Sequence, residues 1–126
     1  VLAFDYDGAT GGRGTQRVWL AADAAPGRPD GACIDAEGCL WCALYGAGRI
    51  VRLSPDGSLC ASYAVPAANV TSCAFGGPSM TTLFVTSGED PSAQGTAGTS
   101  HADGALFACD MGIRGLVEPE YDLRAD

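Results

Sequence analysis

Short apolar runs, broken by glycine, proline and aspartate, recur along this chain, and none has the length or the three-to-four-residue spacing of an amphipathic helix. Gly31-Ala32-Cys33-Ile34, Leu40-Trp41-Cys42-Ala43 and Leu83-Phe84-Val85-Thr86 read as strands. The breaks between them carry turn chemistry. Gly46-Ala47-Gly48 is glycine-rich, and Pro55-Asp56-Gly57 sets proline at a favoured turn position with glycine behind it. The pattern predicts strands over 31–35, 39–44, 49–54 and 59–63, with Ala36-Glu37-Gly38 turning the first into the second. Before them, 1–7 and 16–21 read as a strand pair joined through Gly11-Gly12-Arg13-Gly14. After them, 71–75, 80–87 and 105–110 read as strands, with Tyr121-Asp122-Leu123 a weak addition.

The runs also repeat. Gly31-Ala32-Cys33-Ile34, turn, Leu40-Trp41-Cys42-Ala43 is echoed by Ser72-Cys73-Ala74-Phe75, turn, Leu83-Phe84-Val85-Thr86, and aligning Ile34 with Phe75 sets the spacing. Phe4-Asp5-Tyr6-Asp7-Gly8, Leu53-Ser54-Pro55-Asp56-Gly57 and Phe107-Ala108-Cys109-Asp110 form a second echo. Spacings of roughly 40 to 54 residues belong to β-propellers, whose blades are four-stranded antiparallel meanders burying their faces against one another. The expected fold is all-β, about two and a half propeller blades in a single domain over 1–126. Residues 1–25 supply the outer strands of one blade, 29–64 a complete blade, and 70–126 the last blade with a long loop at 88–104. A closed propeller needs more blades, so the chain is expected to be the C-terminal part of a longer protein.

Composition sharpens this picture in three respects. The 18 glycines and 7 prolines disfavour helical interiors, while a 47% hydrophobic content is enough for a core. Basic residues are all arginine, 7 against 15 carboxylates, and the net charge of −8 with scattered arginines excludes a nucleic-acid surface. No apolar run reaches the ~20 residues that span a bilayer, and no leader-like segment opens the chain, so no membrane partner is expected and the compartment is read as cytoplasmic. Cys33, Cys39, Cys42, Cys60, Cys73 and Cys109 sit in strand-like runs and are expected to be reduced core thiols.

Candidate chemistry centres on Pro29-Asp30-Gly31, where proline and glycine set the backbone and an acidic side chain stands at the mouth of an apolar strand. Taken alone, an aspartate in such a triplet is commonly a turn former. Cys39 and Cys42 have C-x-x-C spacing, but three positions apart on a strand they point to opposite faces. His101 with Glu89, Asp90 and Asp103 reads as part of a solvated loop rather than a second metal cluster. Asp7, Asp56 and Asp110 read as turn formers, and Trp19 and Trp41 as strand residues of the core.

Pro29-Asp30-Gly31, Ile34-Asp35-Ala36-Glu37-Gly38-Cys39-Leu40-Trp41 and Gly48-Arg49-Ile50-Val51-Arg52-Leu53-Ser54-Pro55-Asp56-Gly57 together resemble the regucalcin/gluconolactonase, or senescence marker protein, family. Thr71-Ser72-Cys73-Ala74-Phe75-Gly76-Gly77 and Gly104-Ala105-Leu106-Phe107 extend the resemblance. It implies a six-bladed propeller with a divalent metal at one mouth, and hydrolases of sugar lactones or related esters among its members. It also implies that Asp30 is a metal ligand and the acid/base. Ala32 stands where the family often has methionine. The family's other ligands, a glutamate near the N-terminus and an asparagine just before the strand at Val1, have no counterpart here.

The expected function is therefore metal-dependent hydrolysis of a small lactone or related ester, with calcium, magnesium, manganese or zinc as the cofactor and Asp30 relaying the proton. The chain by itself is expected to be inactive. The rival readings are a non-catalytic propeller that binds calcium or a partner protein, and a truncated gene product.

Overall fold

The computed structural model describes residues 1–21, 24–89 and 102–120, and every regular element among them is a β-strand. In chain order these are β1 (Leu2–Asp7), β2 (Gly12–Val18), β3 (Arg28–Ile34), β4 (Leu40–Tyr45), β5 (Arg49–Leu53), β6 (Leu59–Ala64), β7 (Val70–Gly76), β8 (Thr82–Ser87) and β9 (Leu106–Asp110). All pairings are antiparallel, and three separate meanders result: β1-β2, β3-β4-β5-β6 and β7-β8-β9. The first strands of the second and third sheets, β3 and β7, pack on each other, as do β4 and β7. Successive sheets meeting face to face along their first strands is the blade arrangement of a β-propeller, left open here. No described helix is long and apolar enough to cross a membrane.

The period of two along β4 explains why its neighbours are sheets. Trp41 and Ala43 point to one face and join Ile50, Val70, Cys73, Leu83 and Val85 in the core shared with the third sheet. Cys42 and Leu44 point to the other, where Val51, Leu53 and Leu20 form a second core. A strand apolar on both sides needs a layer on each side. Trp41 locks the larger core: its ring stacks on Tyr63 at 5.3 Å and meets Phe75 edge-on at 5.3 Å. Such ring pairs contribute about 0.5–1.5 kcal/mol each beyond their buried area.

Aspartates close the turns. Asp7 accepts from the Ala9 amide and the Thr10 hydroxyl, Asp56 from the Ser58 amide and the Ser54 hydroxyl, and Asp110 from the Gly112 amide. The first of these corrects the expected turn at Gly11-Gly12-Arg13-Gly14. Because Asp7 captures the backbone two residues on, the chain reverses over Gly8–Gly11 and β2 has already begun at Gly12. Trp19 lies just past β2 rather than in a strand, and its indole N–H donates to the Pro55 carbonyl at 2.9 Å, tying that end of β2 to the second sheet. Aligning Ile34 with Phe75 is one residue out. Cys33 and Cys73 each follow a β-bulge by one residue and are the equivalent positions. Tyr121-Asp122-Leu123 lies outside the described residues.

Candidate functional site

Pro29-Asp30-Gly31 is not a turn; all three residues lie inside β3. Pro29 pairs with Leu44 and Ala32 with Cys42, so Asp30 and Gly31 together oppose the single residue Ala43. Two residues against one is a β-bulge, a device that re-aims a side chain out of the ladder. Its cause is local: Pro29 has no N–H to give the ladder, and Gly31 is pressed against the neighbouring sheet. A Cβ built on Gly31 would sit 2.8 Å from Ser72 Cα, a backbone contact that only glycine tolerates. The bulge therefore holds Asp30 on a stiff strand while turning its carboxylate out.

That carboxylate is exposed, and among the described residues it makes no hydrogen bond or ion pair. It lines an open cleft of about 660 Å³ together with Ala25, Pro26, Gly27, Arg28 and Pro29. The strand that bears it, β3, is the first of its sheet and packs on β7, the first strand of the next. Arg28, two residues earlier, holds its guanidinium 4.9 Å over the Tyr45 ring. Behind the bulge the buried Cys42 thiol is pushed up by burial and donates to the Ala43 carbonyl at 3.4 Å.

A carboxylate is the hard oxygen donor that calcium, magnesium or manganese takes, so the chemistry of Asp30 fits a divalent cation. The donor number does not complete a site: among the described residues no three of His, Cys, Asp and Glu gather to hold a metal. The remaining candidates are not brought to Asp30. Cys42 packs with Leu44 and Val51, whereas Cys39 lies beside Asp35 and Arg52. Asp103 accepts the Ala68 amide at 3.1 Å, a clamp between loops. Asp90 and His101 lie outside the described residues. All six cysteines are free thiols.

The sequence reading missed Asp35. It is fully buried, and its two oxygens accept from the Glu37 and Cys39 amides, the Trp41 indole at 2.8 Å and Arg52 Nε at 2.8 Å. Burial acts to raise its pKa, but the Trp41, Arg52 and amide hydrogen bonds prevail and hold it below the usual carboxylate value. Glu37 and Asp35 together raise the Arg52 guanidinium. The signal was present in the alternation. Asp35 shares its odd positions with Gly31 and Cys33, the inward side of β3, and a charge continuing that side demands partners. The Asp35 pairing with Gly115 and the Ala36 amide bond to the Arg114 carbonyl tie this network to the chain beyond β9.

Comparison with known proteins follows the same outline. Residues 1–89 match the family model described as the SMP-30/gluconolactonase/LRE-like region. A pentonolactonase of Haloferax volcanii is 34% identical over 128 residues, covering 98% of this chain and 44% of that protein. Regucalcin of Danio rerio is 37% identical over 125 residues, covering 96% of this chain and 42% of that protein. The crystal structure of a calcium-binding protein, regucalcin, from Agrobacterium tumefaciens superposes with a TM-score of 0.83 at 31% identity, covering 97% of this chain and 42% of that one. The chain thus spans less than half the length of each.

Proposed function

The chain belongs to the SMP-30/gluconolactonase/LRE-like family, and from that premise we propose that it is part of a metal-dependent lactonase in which Asp30 binds the metal and moves the proton. The observation that carries this reading is the presentation of Asp30. The other aspartates of the described residues have partners: Asp7, Asp56 and Asp110 close turns, Asp35 is buried under donors, Asp5 pairs with Arg17 and Asp103 accepts the Ala68 amide. The Asp30 carboxylate has no such partner among the described residues, and a proline-glycine bulge turns it toward a cleft.

A divalent cation bound beside Asp30 would polarise a lactone carbonyl and acidify water. Asp30 would contribute one oxygen donor, and because no three His, Cys, Asp or Glu side chains gather among the described residues, the ion would need further oxygens of other kinds or from elsewhere in the full-length protein. The second carboxylate oxygen would accept a proton from the attacking water and return it to the leaving alkoxide as the ring opens. Water adds to the carbonyl carbon, the ring ester bond breaks, and a hydroxy acid is released. The lactone named in the Haloferax volcanii relative, a pentonolactonase, sets sugar lactones as the substrate class to test.

The test is a panel of sugar lactones given to the full-length protein, stripped of metal and reconstituted with calcium, magnesium, manganese or zinc, with Asp30→Asn alongside. Metal-dependent hydrolysis that falls by about 10²-fold or more in the variant is the expected result. Metal binding without turnover on any lactone would replace this reading with that of a calcium-binding propeller. Equal rates for variant and parent would remove Asp30 from the mechanism.

A further inference from the structure

Away from Asp30, the fold brings together two nucleophilic side chains that the sequence separates by 40 positions. Cys33 on β3 and Cys73 on β7 lie with their sulfurs 3.8 Å apart, across the junction between two sheets. Cys33 is half-buried, and Cys73 is 5% exposed. Cys33 packs against the core cluster that contains Cys73. A disulfide holds its sulfurs at about 2.05 Å, so closing one here brings the two sulfurs about 1.8 Å nearer than they stand.

The two thiols are also unequal. Cys73 has one S–H and two acceptors in reach, the Trp41 carbonyl at 3.4 Å and the Cys33 sulfur. When Cys33 loses its proton, the Cys73 S–H turns to it, and the Phe75 amide adds a second donor. These hydrogen bonds hold the Cys33 thiol below its usual value against the opposing effect of burial, while Cys73 is raised by the same pairing and by burial. One partner is the nucleophile and the other waits protonated, the division found in reactive dithiols. Cys39, which Cys60 approaches, is pushed up by burial and by the Asp35 charge, and is the poorer nucleophile.

We propose that Cys33 and Cys73 are a redox-active dithiol, converted by hydrogen peroxide into a disulfide that staples the first strands of two adjacent sheets. The Cys33 thiolate attacks the peroxide, the O–O bond breaks, and hydroxide leaves to become water. The resulting sulfenic acid is attacked by the Cys73 sulfur, the S–O bond breaks, and a second water leaves. The two thiols give up two electrons and two hydrogens, and the peroxide is reduced to water. The staple falls three residues beyond Asp30 on the same strand, so it stiffens the element that presents the carboxylate.

The test treats the reduced full-length protein with hydrogen peroxide, blocks remaining thiols with N-ethylmaleimide, and maps disulfides by mass spectrometry of non-reduced peptides. The expected result is a dominant Cys33–Cys73 linked peptide, the loss of two thiols per chain, and full reversal by dithiothreitol. Cys73→Ser should leave a Cys33 sulfenic acid that dimedone traps, and Cys33→Ser should give no linked peptide. The wild-type map decides the matter even if a variant fails to fold. Recovery of Cys33 and Cys73 both alkylated after peroxide, or linkage running instead through Cys39, Cys60 or Cys109, would overturn the proposal.

Discussion

Replacing Asp35 with alanine removes one buried carboxylate and strands the groups that point at it. The Trp41 indole N–H, on a ring that is 0% exposed, loses a 2.8 Å bond and has no water to turn to. An unpaired buried donor costs about 1–3 kcal/mol, and breaking a buried ion pair from one side costs about 3–5 kcal/mol. Arg52 moderates the second figure, because its side chain is 13% exposed and keeps Glu37 at 2.7 Å. A loss of about 3–4 kcal/mol is therefore expected from these two effects together. Asp35→Asn keeps an oxygen for the Glu37 and Cys39 amides but turns an NH₂ toward the Trp41 and Arg52 donors, for a loss of about 2–3 kcal/mol. The assay is urea unfolding of the full-length protein at pH 7, read as a fall in the midpoint at unchanged slope. Acid supplies an independent check. The folded carboxyl titrates below the unfolded value of about 3.9, so its contribution is complete above that pH and is lost as pH falls through the folded pKa. The wild-type protein should lose more stability than Asp35→Asn between pH 5 and the acid limit. An Asp35→Ala midpoint equivalent to less than about 0.5 kcal/mol, the range of an ordinary surface change, would refute the assignment of this network as a structural keystone.

Asp30 should behave in the opposite way, because its carboxylate has no partner to lose among the described residues. Asp30→Asn is expected to abolish most lactone turnover while leaving the unfolding midpoint within about 0.5 kcal/mol of the parent; a large stability loss would show a structural role instead. Gly31→Ala forces a methyl against the Ser72 backbone and should cost about 1–3 kcal/mol in the same unfolding assay. Gly31→Ala/Ser72→Gly should recover part of that loss, and a neutral single variant would mean that β3 and β7 are not so closely apposed. The isolated 126-residue chain should hydrolyse no lactone with calcium, magnesium, manganese or zinc added. Turnover by it would show that Asp30 needs no further ligands.

The strands were legible because short apolar runs and turn residues agree along most of the chain, as at Leu40–Tyr45 and at the Pro55-Asp56-Gly57 reversal. What misled was local ambiguity. Glycines at 11, 12 and 14 mark flexibility without saying which one turns, and the side chain of Asp7 decided it from two residues away. Cys33 with Cys73, and Asp35 with Arg52, are contacts between distant segments, which no local pattern encodes. Asp30 stood out as a candidate in the sequence, but its setting did not. Proline followed by aspartate and glycine has the composition of a turn, and only pairing with β4 reveals a bulge within a strand.

That bulge joins the fold to the proposed chemistry. A regular strand would pair Asp30 one-to-one with Ala43 and point its side chain to the face that the pleat dictates. Pro29 removes a ladder donor on one side, and Gly31 permits the backbone of β7 to close in on the other. The strand is thereby held from two directions at the residue where its own pairing lapses. A carboxylate meant to hold a cation must be rigid yet uncommitted, since a mobile ligand loses affinity to ordering and a bonded one loses it to competition. The Pro-Asp-Gly bulge meets both conditions at once, which is the ground for proposing Asp30 as a metal ligand although its three residues resemble a turn in the sequence.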